Sequence, residues 1–331
     1  MGIDVVQFGD ADEASARLAY AIRGAGWRRM TPDIPYESAA HFLSGIRLPP
    51  PGYAMERALA YLDGRPVGYL SLNLPTLDNL DNAGAELWVV PAYRRHGVGR
   101  ALSRYAADRI RALGRKRITA ESVESPEAHG FAASVGAAAA LRETRSRLDI
   151  TAVDSRRPDA MLAQGWAHAR GYRLLRWQGV PPERYLDDVA YLDSRFLAEA
   201  PTGDLEWEPE NIDADRLREH ERRWTERGVG RFHAGVVHEA SDRFVGWTTL
   251  SGAADNPTHL WQNITLVDPA HRGHRLGTIL KVANLAHARE HRPRLTAIDT
   301  WNASSNEHML AINRAMGFRA VDSWVEWQQT V

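Results

Sequence analysis

The chain of 331 residues contains no cysteine. That excludes disulfides, thiolate metal sites and a cysteinyl acyl intermediate, and it fits any redox compartment. Lysine is nearly absent as well. It occurs only at Lys116 and Lys281, so arginine supplies almost all of the 41 basic residues. This reads as a coding habit with no functional content. No apolar run approaches the roughly 18 residues of a membrane span. The opening Met1-Gly-Ile-Asp-Val-Val lacks the basic start and apolar core of a signal peptide. Val6 stands where N-myristoylation needs Ser or Thr. Charge of one sign is also missing: the formal net charge is −1. Bulk attraction to nucleic acid or to an anionic membrane is therefore not expected, and the cytoplasm is the default location.

What is present is ordinary for a globular protein, with 44% hydrophobic and 25% charged residues. The length is too great for one typical core and comfortable for two. The informative stretch is Val89-Val-Pro-Ala-Tyr-Arg-Arg-His-Gly97-Val-Gly99. It follows an apolar, strand-like run, Glu86 to Val90. It precedes residues 98–113, whose apolar positions recur at helical spacing. At a strand–turn–helix junction the first N–H groups of the helix have no internal partner, and the helix dipole adds positive potential there. Gly97 and Gly99 remove side chains that would keep an anion from those groups. A P-loop would need Gly-Lys-Ser/Thr, and a dinucleotide fingerprint would need a third glycine.

The stretch recurs. Residues 267–280 align without a gap onto residues 89–102 at an offset of 178, and seven of the fourteen positions match: Val, Pro, Ala, Arg, His, Gly and Leu. Both copies sit between a strand-like run and a helix-like run, which argues for an internal duplication. They differ where Gly97 becomes Arg275. The first copy is thus the better anion cradle, while Arg275 either reaches an anion with its guanidinium or fills an empty site.

Arg-x-x-Gly-x-Gly after Val-x-Pro resembles the pyrophosphate loop of the GNAT superfamily of acyl-CoA-dependent N-acyltransferases. Ala315-Met-Gly317-Phe318 is similar to the end of that family's last helix, with Ser134-Val-Gly136-Ala137 a weaker counterpart. The whole resembles the tandem GNAT proteins of actinobacteria. The resemblance implies two α/β domains, each a mixed, mostly antiparallel central sheet flanked by helices. The expected division is residues 1–153, a linker or bridging helix at 154–171, and residues 172–331.

The resemblance also implies an activity: transfer of an acyl group, most simply from acetyl-CoA, to a primary amine of a small molecule by direct attack, with no metal. Cofactor contacts are implied at Val89, Val90, Arg94, Arg95, His96, Gly97, Val98, Gly99 and Arg100. In the second copy they fall at Val267, Arg272, Gly273, His274, Arg275 and Gly277. Val89 is the expected amide for the thioester carbonyl. Glu86 is the expected base, against a plain reading as a solvated strand-edge carboxylate. The family's proton-donating tyrosine would stand at Ala132 or Asn313, and neither can donate. Asn263, Thr265 and Asn302 are candidate acceptor contacts, although asparagines near helix starts more often cap or tie loops. His287 and His291 lie four apart but read as helix surface, not as a metal site. Two alternatives stay open: a CoA-binding sensor without turnover, and catalysis in the second half. A monomer or a homodimer is expected, without nucleic-acid or membrane partners.

Overall fold

A computed structural model of the chain describes residues 2–154 and 156–331. Met1, at the expected start, and Ser155, inside the expected linker, lie outside the described residues. The chain opens with β1 (Ile3–Phe8), α1 (Glu13–Met30), α2 (Ala39–Arg47), β2 (Tyr53–Leu62), β3 (Arg65–Pro75) and β4 (Asn82–Val89). It continues with α3 (Val98–Ala112), β5 (Arg117–Val123), α4 (Pro126–Val135) and β6 (Ala138–Asp149). Then come α5 (Arg156–Trp166), β7 (Tyr172–Gln178), α6 (Leu186–Ser194), α7 (Phe196–Glu199), α8 (Ala214–Glu226), β8 (Val229–His238) and β9 (Arg243–Ala253). The last elements are β10 (His259–Val267), α9 (Leu276–His291), β11 (Ala297–Ala303), α10 (Glu307–Met316) and β12 (Arg319–Thr330). No helix among the described residues is long and apolar enough to cross a membrane.

The residues form two compact units. The first is Met1–Arg142 with Thr202–Trp207 and Ser323–Val331; the second is Glu143–Pro201 with Glu208–Asp322. The expected division at residue 153 is corrected in this respect. The C-terminal strand β12 pairs antiparallel with β5 and completes the first unit, and β6 from Glu143 onward pairs antiparallel with β11 in the second. Strand periodicity says which side chains face a core but not which strand is the neighbour, so this exchange left no mark in the residue pattern.

In the first unit the sheet runs β1-β2-β3-β4-β5-β12, and only β4 and β5 are parallel. Asp63 and Gly64, at φ +48° and +78°, make the tight turn that joins β2 to β3. One sheet face buries α3 through Val98, Leu102, Ala106 and Ile110. The other carries α1 and α2, packed through Ala19, Ile22, Phe42 and Ile46 against Tyr69 and Trp88. The second unit repeats the plan as β6-β11-β10-β9-β8-β7, again with one parallel pair, β10 and β11. There α9 fills one face through Ile279, Leu280 and Ala283, and α6 and α8 cover the other.

Candidate functional site

In the first unit β4 and β5 pair only at Asn82–Arg117, Ala83–Ile118 and Gly84–Thr119. Beyond that point β4 stays with β3 as far as Val89, so a gap opens beside β5. Val90 donates its N–H to the Val67 carbonyl at 2.9 Å. The antiparallel alternation then turns the N–H groups of Leu87 and Val89 away from β3, toward the gap. The Val89 amide therefore lies on the gap side of β4. The Val90 amide does not, because β3 already uses its N–H.

At the head of this gap a short 3-10 turn, Pro91–Tyr93, leads into two left-handed residues, Arg95 at φ +68° and Gly97 at +86°. Gly97 is the N-cap of α3, and no side chain caps that helix. The contrast with other helices is informative: Asp12, Ser38, Ser125, Asp213 and Asn306 cap α1, α2, α4, α8 and α10 with their side chains. A bared helix start with the dipole behind it is an anion site. Val98 is 1% exposed and its side chain packs in the core. Gly99 serves packing: a Cβ there would lie 3.0 Å from the Phe131 ring of α4.

Arg94, Arg95, His96 and Arg100 are exposed around this start, and the His96 Nδ1 lies 2.8 Å from the Arg94 carbonyl. Arg29, in the last turn of α1, faces the same place. Among the described residues none of these four arginines makes an ion pair. The Arg94 pKa is lowered, first by burial and then by the charge of Arg29, against a smaller pull from Glu127. Unpaired guanidiniums beside a bared helix start are an arrangement that a polyanion relieves.

The expected base is committed elsewhere. Glu86 Oε1 accepts from Arg23 Nε at 2.6 Å and from Trp88 Nε1 at 2.7 Å. Arg23 also reaches Glu37 at 2.6 Å, and its guanidinium lies 5.1 Å from the Trp27 ring centroid. Burial opposes the charge on Arg23, but Glu86 and Glu37 outweigh it and raise its pKa. Across the gap stands a carboxylate that had no assigned role, Glu121 of β5, two residues past the last β4 pair. Glu326 of β12 lies directly opposite it. The Glu121 side chain keeps contact with solvent. Its pKa is nonetheless pushed up to about 7, first by loss of surrounding water and then by Glu326 and Glu86, with Arg23 opposing.

The second unit builds the same gap with different chemistry. β10 and β11 pair only at His259–Ala297, Leu260–Ile298 and Trp261–Asp299, and β10 carries a bulge between Gln262 and Thr265. Asp268 donates to the Val245 carbonyl, which leaves the Val267 amide turned to the gap, as at Val89. The left-handed pair is Gly273 at +85° and Arg275 at +57°, so glycine and arginine have changed places relative to the first loop. Arg275 is the N-cap of α9, which has no side-chain cap. Arg272, however, is paired with Glu199 at 2.8 Å, and Glu199 also holds Arg195. His274 lies 3.3 Å from the His168 carbonyl, and a Cβ on Gly277 would touch Ile312 at 3.4 Å. Arg272 is thus paired, while Arg275 is exposed and, among the described residues, makes no ion pair.

Beside the bulge lies a cavity of about 460 Å³, lined in part by Gln262, Asn263 and Ile264. Asn263 accepts from Ser251 at 2.6 Å and borders the cavity. Thr265 shares a hydrogen bond with Thr248 at 2.7 Å. Asn302 accepts from Asn313 at 2.7 Å and ties β11 to α10, while Asn306 caps α10. His287, Glu290 and His291 bring ligand atoms within 4.8 Å of one another. His287 and His291 are engaged with the carbonyls of Trp177 and His287, and Glu290 with Arg176; His291 is exposed, but His287 is buried, so the helix-surface reading is corrected there.

The acetyltransferase (GNAT) family pattern matches this chain twice, over residues 19–137 and 198–318. A mycothiol acetyltransferase of Saccharomonospora viridis is 28% identical over 276 residues, 80% of this chain and 79% of that protein. One from Salinispora arenicola is 27% identical over 268 residues, 81% of this chain and 79% of that protein. Among solved structures, a tandem GNAT protein from the clavulanic acid biosynthesis pathway superposes with a TM-score of 0.83 and 30% identity, covering 99% of this chain and 98% of that one. A GCN5-related N-acetyltransferase from Sphaerobacter thermophilus shares the fold, with a TM-score of 0.67 at 15% identity over 99% of this chain and 95% of that one. With two matched loops at the heads of two splayed strand pairs, the chain belongs to the GNAT family of acetyltransferases, in its tandem form.

Proposed function

We propose that the first unit binds acyl-CoA, most simply acetyl-CoA, at the start of α3 and that transfer to a small-molecule primary amine takes place in the gap between β4 and β5. The observation that carries this reading is the bared start of α3 surrounded by unpaired arginines, set against the neutralised Arg272 of the second loop. Arg94, Arg95, Arg100 and Arg29 would hold the phosphates, and the Val89 N–H would take the thioester oxygen as it gains charge.

Glu121 replaces Glu86 as the base. It would accept the ammonium proton, directly or through water, and leave a neutral amine to attack. The C–N bond forms, the C–S bond breaks, and the thiolate takes a proton from water, since Ala132 and Asn313 offer none. Calorimetry with acetyl-CoA tests the site. Gly97→Trp should abolish binding, because a side chain at that left-handed residue crowds the helix start. Unchanged affinity would move the site to the second loop.

One observation favours a second reading. The cavity beside β10 adjoins the other gap, which would suit transfer in the second unit. Turnover that survives Gly97→Trp but is lost in Arg272→Glu would select it.

A further inference from the structure

The end of α9 carries a group of side chains that has no task in the proposed reaction. The run His287-Ala-Arg-Glu290-His291 sets two histidines and a glutamate at i, i+3 and i+4, on one face of the helix. One ligand atom from each of the three lies within 4.8 Å of the others. The two imidazole centroids are 4.7 Å apart, and both rings pack on Phe232 of β8, at 6.1 and 5.9 Å. Each ring has one nitrogen against a carbonyl. His287 Nε2 lies 3.2 Å from the Trp177 carbonyl of β7, and His291 Nδ1 lies 2.9 Å from the His287 carbonyl. A carbonyl only accepts, so each ring carries its N–H on that nitrogen. The lone pairs then fall on His287 Nδ1 and His291 Nε2, and among the described residues neither atom has a hydrogen bond. Burial lowers the His287 pKa, which keeps that ring neutral at neutral pH.

The third member is an anion. A hydrogen bond from Arg176 holds the Glu290 carboxyl below its ordinary range, and it uses Oε1, at 2.8 Å. Oε2 is turned to His287 Nδ1, 3.9 Å away. Arg176 competes for this carboxylate, but the pair is exposed, and such an ion pair contributes little. The negative end of the α9 dipole falls here as well, since the helix ends at His291. A histidine that ligates a metal through one nitrogen commonly donates its other N–H to a carbonyl, which is the state of both rings. Tetrahedral zinc, with bonds of about 2.0–2.2 Å, holds its ligand atoms roughly 3.4 Å apart. The exposed Glu290 and His291 side chains have the freedom to close that difference. Two imidazoles and a carboxylate suit zinc and its late first-row neighbours, whereas magnesium and calcium select oxygen ligands.

We infer that His287, Glu290 and His291 form a site for a divalent transition-metal cation of the zinc type, held by His287 Nδ1, His291 Nε2 and a Glu290 oxygen, with water completing the tetrahedron. All three ligands come from one turn, so the ion fastens the end of α9. The inference does not depend on where acyl transfer occurs, because its readout is metal binding in the absence of CoA. The untagged full chain, stripped with EDTA and dialysed, is titrated by calorimetry with zinc chloride and separately with magnesium chloride at neutral pH. Zinc should bind at one ion per chain, and magnesium should give no binding heat. His291→Ala and Glu290→Gln should each weaken zinc binding at least tenfold. His271→Ala, in the other group of histidines, around Tyr172, should leave it unchanged. The wild-type melting curve should move up with added zinc, and that of His291→Ala should not. Absence of zinc binding, equal binding of magnesium, an affinity unmoved in His291→Ala, or its loss in His271→Ala would overturn the inference. The comparison of the two metals on the wild-type chain stands even if a variant folds poorly.

Discussion

Lys281 lies in the middle of α9, 1% exposed, with the Phe318 ring centroid 5.4 Å from its ammonium and, among the described residues, no carboxylate paired with it. Burial alone lowers its pKa from 10.5 to about 7. The unfolded chain therefore holds this proton more tightly than the folded chain does, and stability rises with pH wherever the unfolded state alone keeps it. At about 1.36 kcal/mol per pKa unit, the folded state is handicapped by about 5 kcal/mol at pH 6, about 2 kcal/mol at pH 9 and almost nothing above pH 10.5. Lys281→Met keeps the chain length and removes the ammonium. Urea denaturation across pH 6 to 10.5 should find the variant more stable at the acid end, with the difference shrinking as pH rises and closing near 10.5. Parallel curves, or a variant destabilised at every pH, would refute the reasoning by showing that the ammonium has a partner or that the site is wet.

Three further outcomes test the first unit. The wild-type kcat/KM for an amine should climb through about pH 7 as Glu121 loses its proton. Glu121→Gln should lose about a hundredfold and flatten that limb, as expected for a general base. Arg94→Ala should weaken acetyl-CoA binding about tenfold at low salt, since a hydrogen bond to a charged group contributes about 1.5–3 kcal/mol, and the difference should narrow as salt screens the site. Gly99→Ala should leave the melting temperature within a few degrees of wild type, because the ring its Cβ meets at 3.0 Å, that of Phe131, is exposed and can yield, while alanine favours the helix by about 1 kcal/mol. Its acetyl-CoA affinity, measured below the melting transition, should stay within a few-fold of wild type.

Local chemistry was readable where a residue type has one physical reason to be in place. Asp63-Gly64 could be read as a hairpin turn because such turns need two residues at positive φ. Ser125-Pro126 could be read as a helix start because the serine caps and the proline needs no donor. The paired loops could be read because their turn residues recur at a fixed offset. What could not be read depends on partners distant in the chain. β12 shows no clean alternation, and its place beside β5 is a matter of pairing. Glu121 looks like any strand carboxylate until the register puts it past the last β4 pair and opposite Glu326. Glu86 looked free because its partner, Arg23, lies 63 residues earlier on a helix face. The cavity of the second unit draws its walls from eight separated elements, and no window of sequence contains it.

The two loops also show why shape alone does not locate an active site in a duplicated chain. Each needs two left-handed residues, and each supplies one glycine and one arginine, in opposite order. The backbone course survives either arrangement, since a single arginine at positive φ costs only about 1–2 kcal/mol. What changes is where the backbone is bare. With glycine at the N-cap, as at Gly97, an anion can approach the helix amides; with glycine two residues earlier, as at Gly273, the N-cap carries a side chain. The charges change in the same direction, for Arg94 is unpaired and Arg272 is held by Glu199. The position of the glycine and the pairing of the first arginine thus distinguish the two loops, while the fold, which is common to both, does not.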